Sequence, residues 1–211
     1  MSLPHLTQPV YSAGAKLEEA SGALLLLHGR GATADDVLSL ATYLDLPTFA
    51  YLAPQAEGYT WYPNRFIAPV EQNEPYLSAG LAKIEAIVKE VESHCIPVDK
   101  IFIGGFSQGA CLATEYVVRN PRRYGGLLVF SGGYIGPLDE QRHPSGNFNG
   151  MPAFLGCSDP DPHIPLQRVK ETSALLQAMG AKVTEKIYPN MGHTIIDDEI
   201  ALARQVIFEG L

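Results

Sequence analysis

Apolar residues fall into two kinds of pattern along this chain. Short segments at 23–27, 48–52, 101–103, 127–130, 153–155 and 183–187 are candidate strands, and several of them are continuous apolar runs. Runs of that length and composition predict strands buried on both faces of a sheet. A further strand is expected near 10–13. Between the runs, apolar positions recur at helical spacing. Leu77, Leu81, Ile84, Val88 and Val91 form one such stripe, with Lys83, Glu85, Lys89 and Glu90 between them. Thr33 and Asp36 have the spacing of a capping box ahead of Val37, Leu40, Ala41 and Leu44. An apolar helix is predicted over 110–118, ending near Asn120-Pro121. Another opens at Pro165 and stops at Gly180, and Ile196, Ile200, Ala203 and Ile207 mark the last.

Strands and helices alternate through most of the length. That order predicts an α/β fold with a mainly parallel central sheet and helices on both faces. The 211 residues suit a single domain, 1–211, with a sizeable core. Pro- and Gly-rich stretches at 53–75 and 131–152 follow strands and are expected to shape a substrate pocket; neither reads as a domain linker, since the alternation resumes after each.

Charge and cysteine content narrow the function classes. Fifteen Lys and Arg against 23 Asp and Glu leave a net charge of −8. That balance argues against a general nucleic-acid or anionic-membrane surface. Cys95, Cys111 and Cys157 have neither zinc-site nor redox-motif spacing. They read as reduced thiols of a cytoplasmic protein, and no metal or cofactor is expected. The N-terminus lacks a secretory pattern, and the run 23–27 is far too short to span a membrane.

The candidate chemistry centres on Gly105-Phe106-Ser107-Gln108-Gly109, between the strand at 101–103 and the helix at 110–118. This is a G-x-S-x-G pattern in the strand–turn–helix context of a nucleophile elbow. The competing reading of the segment is a Gly-rich turn between a buried strand and a buried helix. A serine hydroxyl needs a base, and the base needs an orienting carboxylate. In elbow folds these follow the serine in the order carboxylate, then histidine. Of His143, His163 and His193, only His193 sits between the last strand and the last helix, on the sheet edge that the elbow shares. The carboxylate is expected from the loop after 153–155. Asp159 and Asp161 both qualify there, and either can instead cap the next helix or brace the loop. Oxyanion donors are expected from the Gln108 N–H and from His28-Gly29-Arg30-Gly31, with Arg30 N–H favoured. The Arg30 side chain is read as solvated or as meeting an anionic substrate group, and His28 as structural.

Several landmarks together resemble the phospholipase/carboxylesterase family of small lidless α/β-hydrolases, which includes acyl-protein thioesterases and bacterial carboxylesterases. They are Leu26-Leu27-His28-Gly29-Arg30-Gly31, Ala53-Pro54 with Trp61-Tyr62, Gly104 to Ala110, Asp161-Pro162-His163-Ile164-Pro165, and Gly192-His193-Thr194. The resemblance implies an α/β-hydrolase fold and a serine carboxylesterase acting through Ser107, His193 and Asp161. Anchoring on Pro165 aligns Asp161 with the family's catalytic aspartate. Cys157-Ser158 stands where the family usually has His-Gly. The 61–66 segment resembles the shorter bacterial branch, with Trp61, Tyr62 and Phe66 expected to wall an acyl pocket and His163 to line it. Alternatives are a lysophospholipase or acyl-protein thioesterase and, from another class, a non-catalytic binding protein on the same fold. The expected partner is an acyl ester substrate, and a homodimer is expected by analogy with the family.

Overall fold

The computed structural model describes residues 3–140 and 142–211. Its centre is a seven-stranded sheet: β1 (Val10–Gly14), β2 (Gly22–Leu27), β3 (Phe49–Pro54), β4 (Ile101–Phe106), β5 (Gly126–Phe130), β6 (Pro152–Ser158) and β7 (Lys182–Tyr188). The spatial order is β1-β3-β2-β4-β5-β6-β7. β1 pairs antiparallel with β3, and every other pairing is parallel. Among the described residues six α-helices accompany the sheet: α1 (Ala34–Leu38), α2 (Leu40–Leu44), α3 (Tyr76–Ser93), α4 (Gln108–Arg119), α5 (Leu166–Ala178) and α6 (Asp197–Gly210). All seven expected strands form, each within a few residues of its expected limits.

Side chains alternate between the two faces of a strand, and both faces of this sheet are covered. In β2, Leu25 and Leu27 join Ile84, Val88, Leu112 and Leu176 in a core under α3, α4 and α5. Leu24 and Leu26 point the other way, to Val37, Leu40, Leu44, Val206 and Ile207 of α1, α2 and α6. The polar stripe expected on α3 has one exception. Lys83 is buried, and its ammonium donates to the carbonyls of Leu6 and Gln8, tying the N-terminal segment to the helix.

Parallel pairing brings the carboxyl ends of β2, β4, β6 and β7 to one edge. Leu27 lies opposite Gly105, Phe106 opposite Phe130, and Ser158 opposite Tyr188. The residues that follow these ends, His28, Ser107, Asp159 and Pro189, therefore open four neighbouring loops. Among the described residues, neither the 55–75 loop nor the 131–151 loop contains an α-helix, so no lid domain stands over this edge.

The two loops behave differently. Residues 62–66 wall a cavity at the sheet edge, whereas no described residue of the 131–151 loop lines it. Two buried charges hold the latter onto the helices instead. Glu115 accepts from Arg142 at 2.7 and 2.9 Å and from Ile135 N–H at 2.9 Å. Arg168 donates to the carbonyls of Tyr134, Gly136 and Pro137. The expectation that this loop shapes the pocket is thus corrected: its polar groups satisfy buried α4 and α5 side chains.

The elbow depends on the absence of two side chains. A Cβ on Gly105 would lie 2.5 Å from the Leu27 carbonyl oxygen, and one on Gly109 would overlap that same atom. Gly109→Ala is expected to cost about 1–3 kcal/mol through overpacking and to lower the melting midpoint by roughly 3–10 °C. Gly192→Ala, at a position with open space around it, is expected to melt near wild type. Thermal unfolding of the two variants checks the contrast.

Candidate active site

Ser107 occupies the turn between β4 and α4 with φ 54° and ψ −118°, a strained conformation for a residue bearing a side chain. The turn is over-determined by its neighbours. Ser107 N–H donates to Phe130 O at 2.9 Å, and Cys111 N–H donates to Ser107 O at 3.0 Å, closing the first turn of α4. The hydroxyl is thereby fixed above the helix N-terminus, whose positive end favours nearby negative charge.

The 28–31 loop lies against this turn. A Cβ at Gly29 would come 3.5 Å from Ser107 Cβ. His28 is buried, accepts from Ala56 N–H at 3.1 Å through Nε2, and donates through Nδ1 to Gly29 O at 2.7 Å. Burial lowers its pKa, so it stands neutral as a structural brace. Gly31 N–H donates to Tyr59 O at 2.8 Å. Among the described residues, neither the Arg30 nor the Gln108 backbone N–H donates a hydrogen bond.

The side chains of the same two residues hold the cavity wall. The Arg30 guanidinium donates to the carbonyls of Tyr62, Pro63 and Asn64 at 2.9, 2.9 and 2.6 Å. The Gln108 carboxamide accepts from Trp61 N–H at 2.9 Å and donates to Tyr62 O at 2.8 Å. The Arg30 side chain is exposed, as the solvated reading expects, and lines the cavity, but its guanidinium is also committed to this clamp. The signal for it was thin: a run of backbone carbonyls at 62–64 leaves no mark on residue type.

His193 lies in the loop after β7. Its Nε2 is 2.8 Å from Ser107 Oγ, and its Nδ1 is 2.7 Å from Asp161 Oδ2. The ring is packed between Phe106 and His163, with centroids 4.8 Å away on either side. The Asp161 carboxylate is fully buried. Its Oδ1 accepts from the N–H groups of His163 at 2.8 Å and Ile164 at 3.0 Å, and the Cys157 thiol lies 3.8 Å from Oδ2. Burial alone would raise the Asp161 pKa. The hydrogen bonds from His193, His163 and Ile164 outweigh it and hold the carboxyl below the ordinary range. An ionised carboxylate there fixes the Nδ1–H tautomer of His193 and leaves Nε2 free to take a proton.

Asp159 has the bracing role left open for it. It is exposed, and its carboxylate accepts from Asn190 N–H at 2.9 Å while its own N–H donates to Tyr188 O. Ser158 adds a hydroxyl bond to Met191 O. These bonds stitch the loop after β6 to the loop that carries His193.

A cavity of about 550 Å3 opens beside Ser107. Tyr62, Phe66, Cys111, His163 and Ile164 line it, together with Arg30, Gln108 and His193. Trp61 does not reach it. Its ring is buried behind the wall, with the indole N–H donating to His28 O at 3.0 Å. Cys111 sits against the cavity with its thiol pushed up to about 12 by burial, so it is an inert wall residue.

The sheet order, the elbow and the loop placement define an α/β-hydrolase. A family model for phospholipase/carboxylesterase matches residues 12–208. A solved phospholipase/carboxylesterase from Dyadobacter fermentans superposes with a TM-score of 0.91 at 42% identity, covering 99% of both chains. A carboxylesterase from Mesorhizobium loti gives a TM-score of 0.70 at 26% identity over 89% of this chain and 88% of the other. Acyl-protein thioesterase 1 of Saccharomyces cerevisiae is 29% identical over 209 residues, 88% of this chain and 91% of the yeast protein. The chain belongs to the phospholipase/carboxylesterase family. It is a serine hydrolase acting on esters, which removes the non-catalytic alternative.

One buried group in this region stands outside the hydrogen-bonded line. Glu199, in the first turn of α6, is fully buried against Gly156. Its Oε2 accepts from Ile196 N–H at 3.1 Å, while among the described residues Oε1 has no partner. Burial raises its pKa from 4.5 to about 7. A carboxyl raised on folding binds more protons in the native state, so stability falls as pH rises from about 4.5 to about 7, and the full cost persists above. Glu199→Gln is expected to melt a few degrees higher than wild type at pH 8 and to show a flatter midpoint between pH 5 and 7. Calorimetry across that range checks it.

Proposed function

We propose that this protein is a carboxylesterase working through a Ser107–His193–Asp161 triad and an acyl-enzyme. Ser107 Oγ attacks the acyl carbon as His193 Nε2 takes its proton. The carbonyl oxygen, now negative, is held by the Arg30 and Gln108 N–H groups. His193 then gives the proton to the leaving oxygen as the C–O bond breaks. In the second half, His193 activates water, the acyl–Ser107 bond breaks, and the carboxylic acid leaves. Asp161 keeps the imidazole in one tautomer and stabilises its charged form.

The observation that carries this reading is one continuous line of hydrogen bonds, Ser107 to His193 to Asp161, beside two backbone amides that donate no hydrogen bond among the described residues. Spare donors at a helix N-terminus and a Gly-rich loop are what a developing oxyanion needs. A thioester would follow the same steps. The yeast relatives named acyl-protein thioesterase 1, at 26–29% identity, support thioesters as a second substrate class. Tyr62, Phe66 and His163 are proposed as walls of the acyl site, and Trp61 as the anchor behind them.

Ser107→Ala is expected to cut kcat/KM for p-nitrophenyl butyrate by at least about a thousandfold while the fold melts normally. Asp161→Asn is expected to lose on the order of 10^3–10^4 in kcat, because an amide facing Nδ1 favours the wrong tautomer. Near-wild-type turnover by either would refute the triad. A p-nitrophenyl ester series from two to sixteen carbons separates the substrate classes: activity confined to two to four carbons rejects long-chain thioesters and lysophospholipids.

A further inference from the structure

Two cavities meet at the His193 ring. The larger contains Ser107, Gln108 and Arg30. The second, of about 270 Å3, touches none of those three and lies between the 28–32 loop, α1 and residues 193–195. Phe106, His193, Gly29 and Ala32 form the wall common to both. Val37, Leu40 and Ile195 make the second cavity apolar inside, and Asp36 and Ser39 stand at its rim.

The order of bond breaking distinguishes the two spaces, on the reading proposed above. The acyl carbon stays bonded to Ser107 Oγ after the first half-reaction, so the acyl group must begin in the cavity that contains Ser107. The carbonyl oxygen is committed to the Arg30 and Gln108 amides. Only the leaving oxygen has to approach His193 Nε2, which hands over the proton taken from Ser107 as the C–O bond breaks. The group attached to that oxygen therefore extends past the imidazole. The second cavity is the space that borders the imidazole without touching Ser107.

We propose that this second cavity holds the leaving alcohol, and that it favours esters of bulky apolar alcohols, neutral or cationic, over anionic ones. The apolar interior rewards burial of a ring or branched chain in place of water. The rim sets the charge preference. The Asp36 carboxylate accepts from Thr33 N–H and Thr33 Oγ1, both at 2.7 Å, and these bonds hold its pKa below the ordinary range. Among the described residues no Lys or Arg pairs with it. A leaving group bearing a carboxylate or phosphate would meet this charge in a protein of net charge −8.

The test uses the full chain and two ratios of kcat/KM. The first compares benzyl acetate with methyl acetate, which share an acyl group. The second compares methyl hexanoate with methyl acetate, which share an alcohol. Wild type is expected to favour benzyl over methyl acetate by at least tenfold. Ile195→Trp, which fills the second cavity, should cut the first ratio at least tenfold and shift the second by less than twofold. Ser39→Trp, which also lines the cavity and is solvent-exposed, should do the same should Ile195→Trp fail to fold. Phe66→Trp should move the second ratio and spare the first. The 4-carboxylate of benzyl acetate should fall about tenfold behind benzyl acetate, and Asp36→Asn, which keeps an acceptor for Thr33, should narrow that gap. If the two cavity-filling variants change the acyl ratio, or neither ratio, the assignment is overturned. Absence of turnover on every ester by wild type would refute the esterase reading itself, and the cavity assignment with it.

Discussion

Gly105 and Gly109 leave no side chain between the Ser107 turn and the Leu27 carbonyl, and the geometry of the whole sheet edge follows from that contact. Because β4 can press onto the end of β2, the loop that leaves β2 lies directly against the serine. Ser107 is then held at positive φ by bonds to Phe130 and Cys111. The strain of such a residue persists only where its surroundings over-determine it. The same turn strips the Gln108 N–H of any backbone acceptor, since it opens α4. One packing constraint thus positions the hydroxyl and a spare donor together.

The opposite side of the site is organised by a carboxylate that has left water. Asp161 is buried and must find donors. It finds two backbone amides in its own loop and the ring N–H of His193. Satisfying the charge and orienting the imidazole are the same act. The brace of Asp159 and Ser158 to residues 190 and 191 keeps the two loops in step. Glu199 shows the contrasting case: fully buried, with one oxygen partnered, it is raised toward neutrality, while Asp161, with three donors, is lowered. Donors and burial together separate the two.

Much of this was legible in residue types. Continuous apolar runs marked five of the six parallel strands because strands covered on both faces have no polar side to display; β7, at the sheet edge, carries Thr184, Glu185 and Lys186 and is largely exposed. Chain order placed Ser107, Asp161 and His193 in neighbouring loops because parallel strands end at a common edge. The choice between Asp159 and Asp161 was not legible from spacing, since both follow the same strand; it turns on which carboxylate is buried. The burial of Trp61, the clamp of Arg30 on the 62–64 carbonyls and the retreat of the 131–151 loop were equally hidden. Each depends on backbone carbonyls or on buried partners, Glu115 and Arg168, far away in sequence.

The most direct measurement is covalent labelling of the intact protein by a fluorophosphonate, read by peptide mass spectrometry. An activated serine beside a base and two oxyanion donors should take up one phosphonyl group, on Ser107, with stoichiometry near one and complete loss of ester turnover. No labelling under conditions where turnover persists, or a phosphonyl group on any other residue with Ser107 unmodified, would contradict the Ser107–His193–Asp161 site.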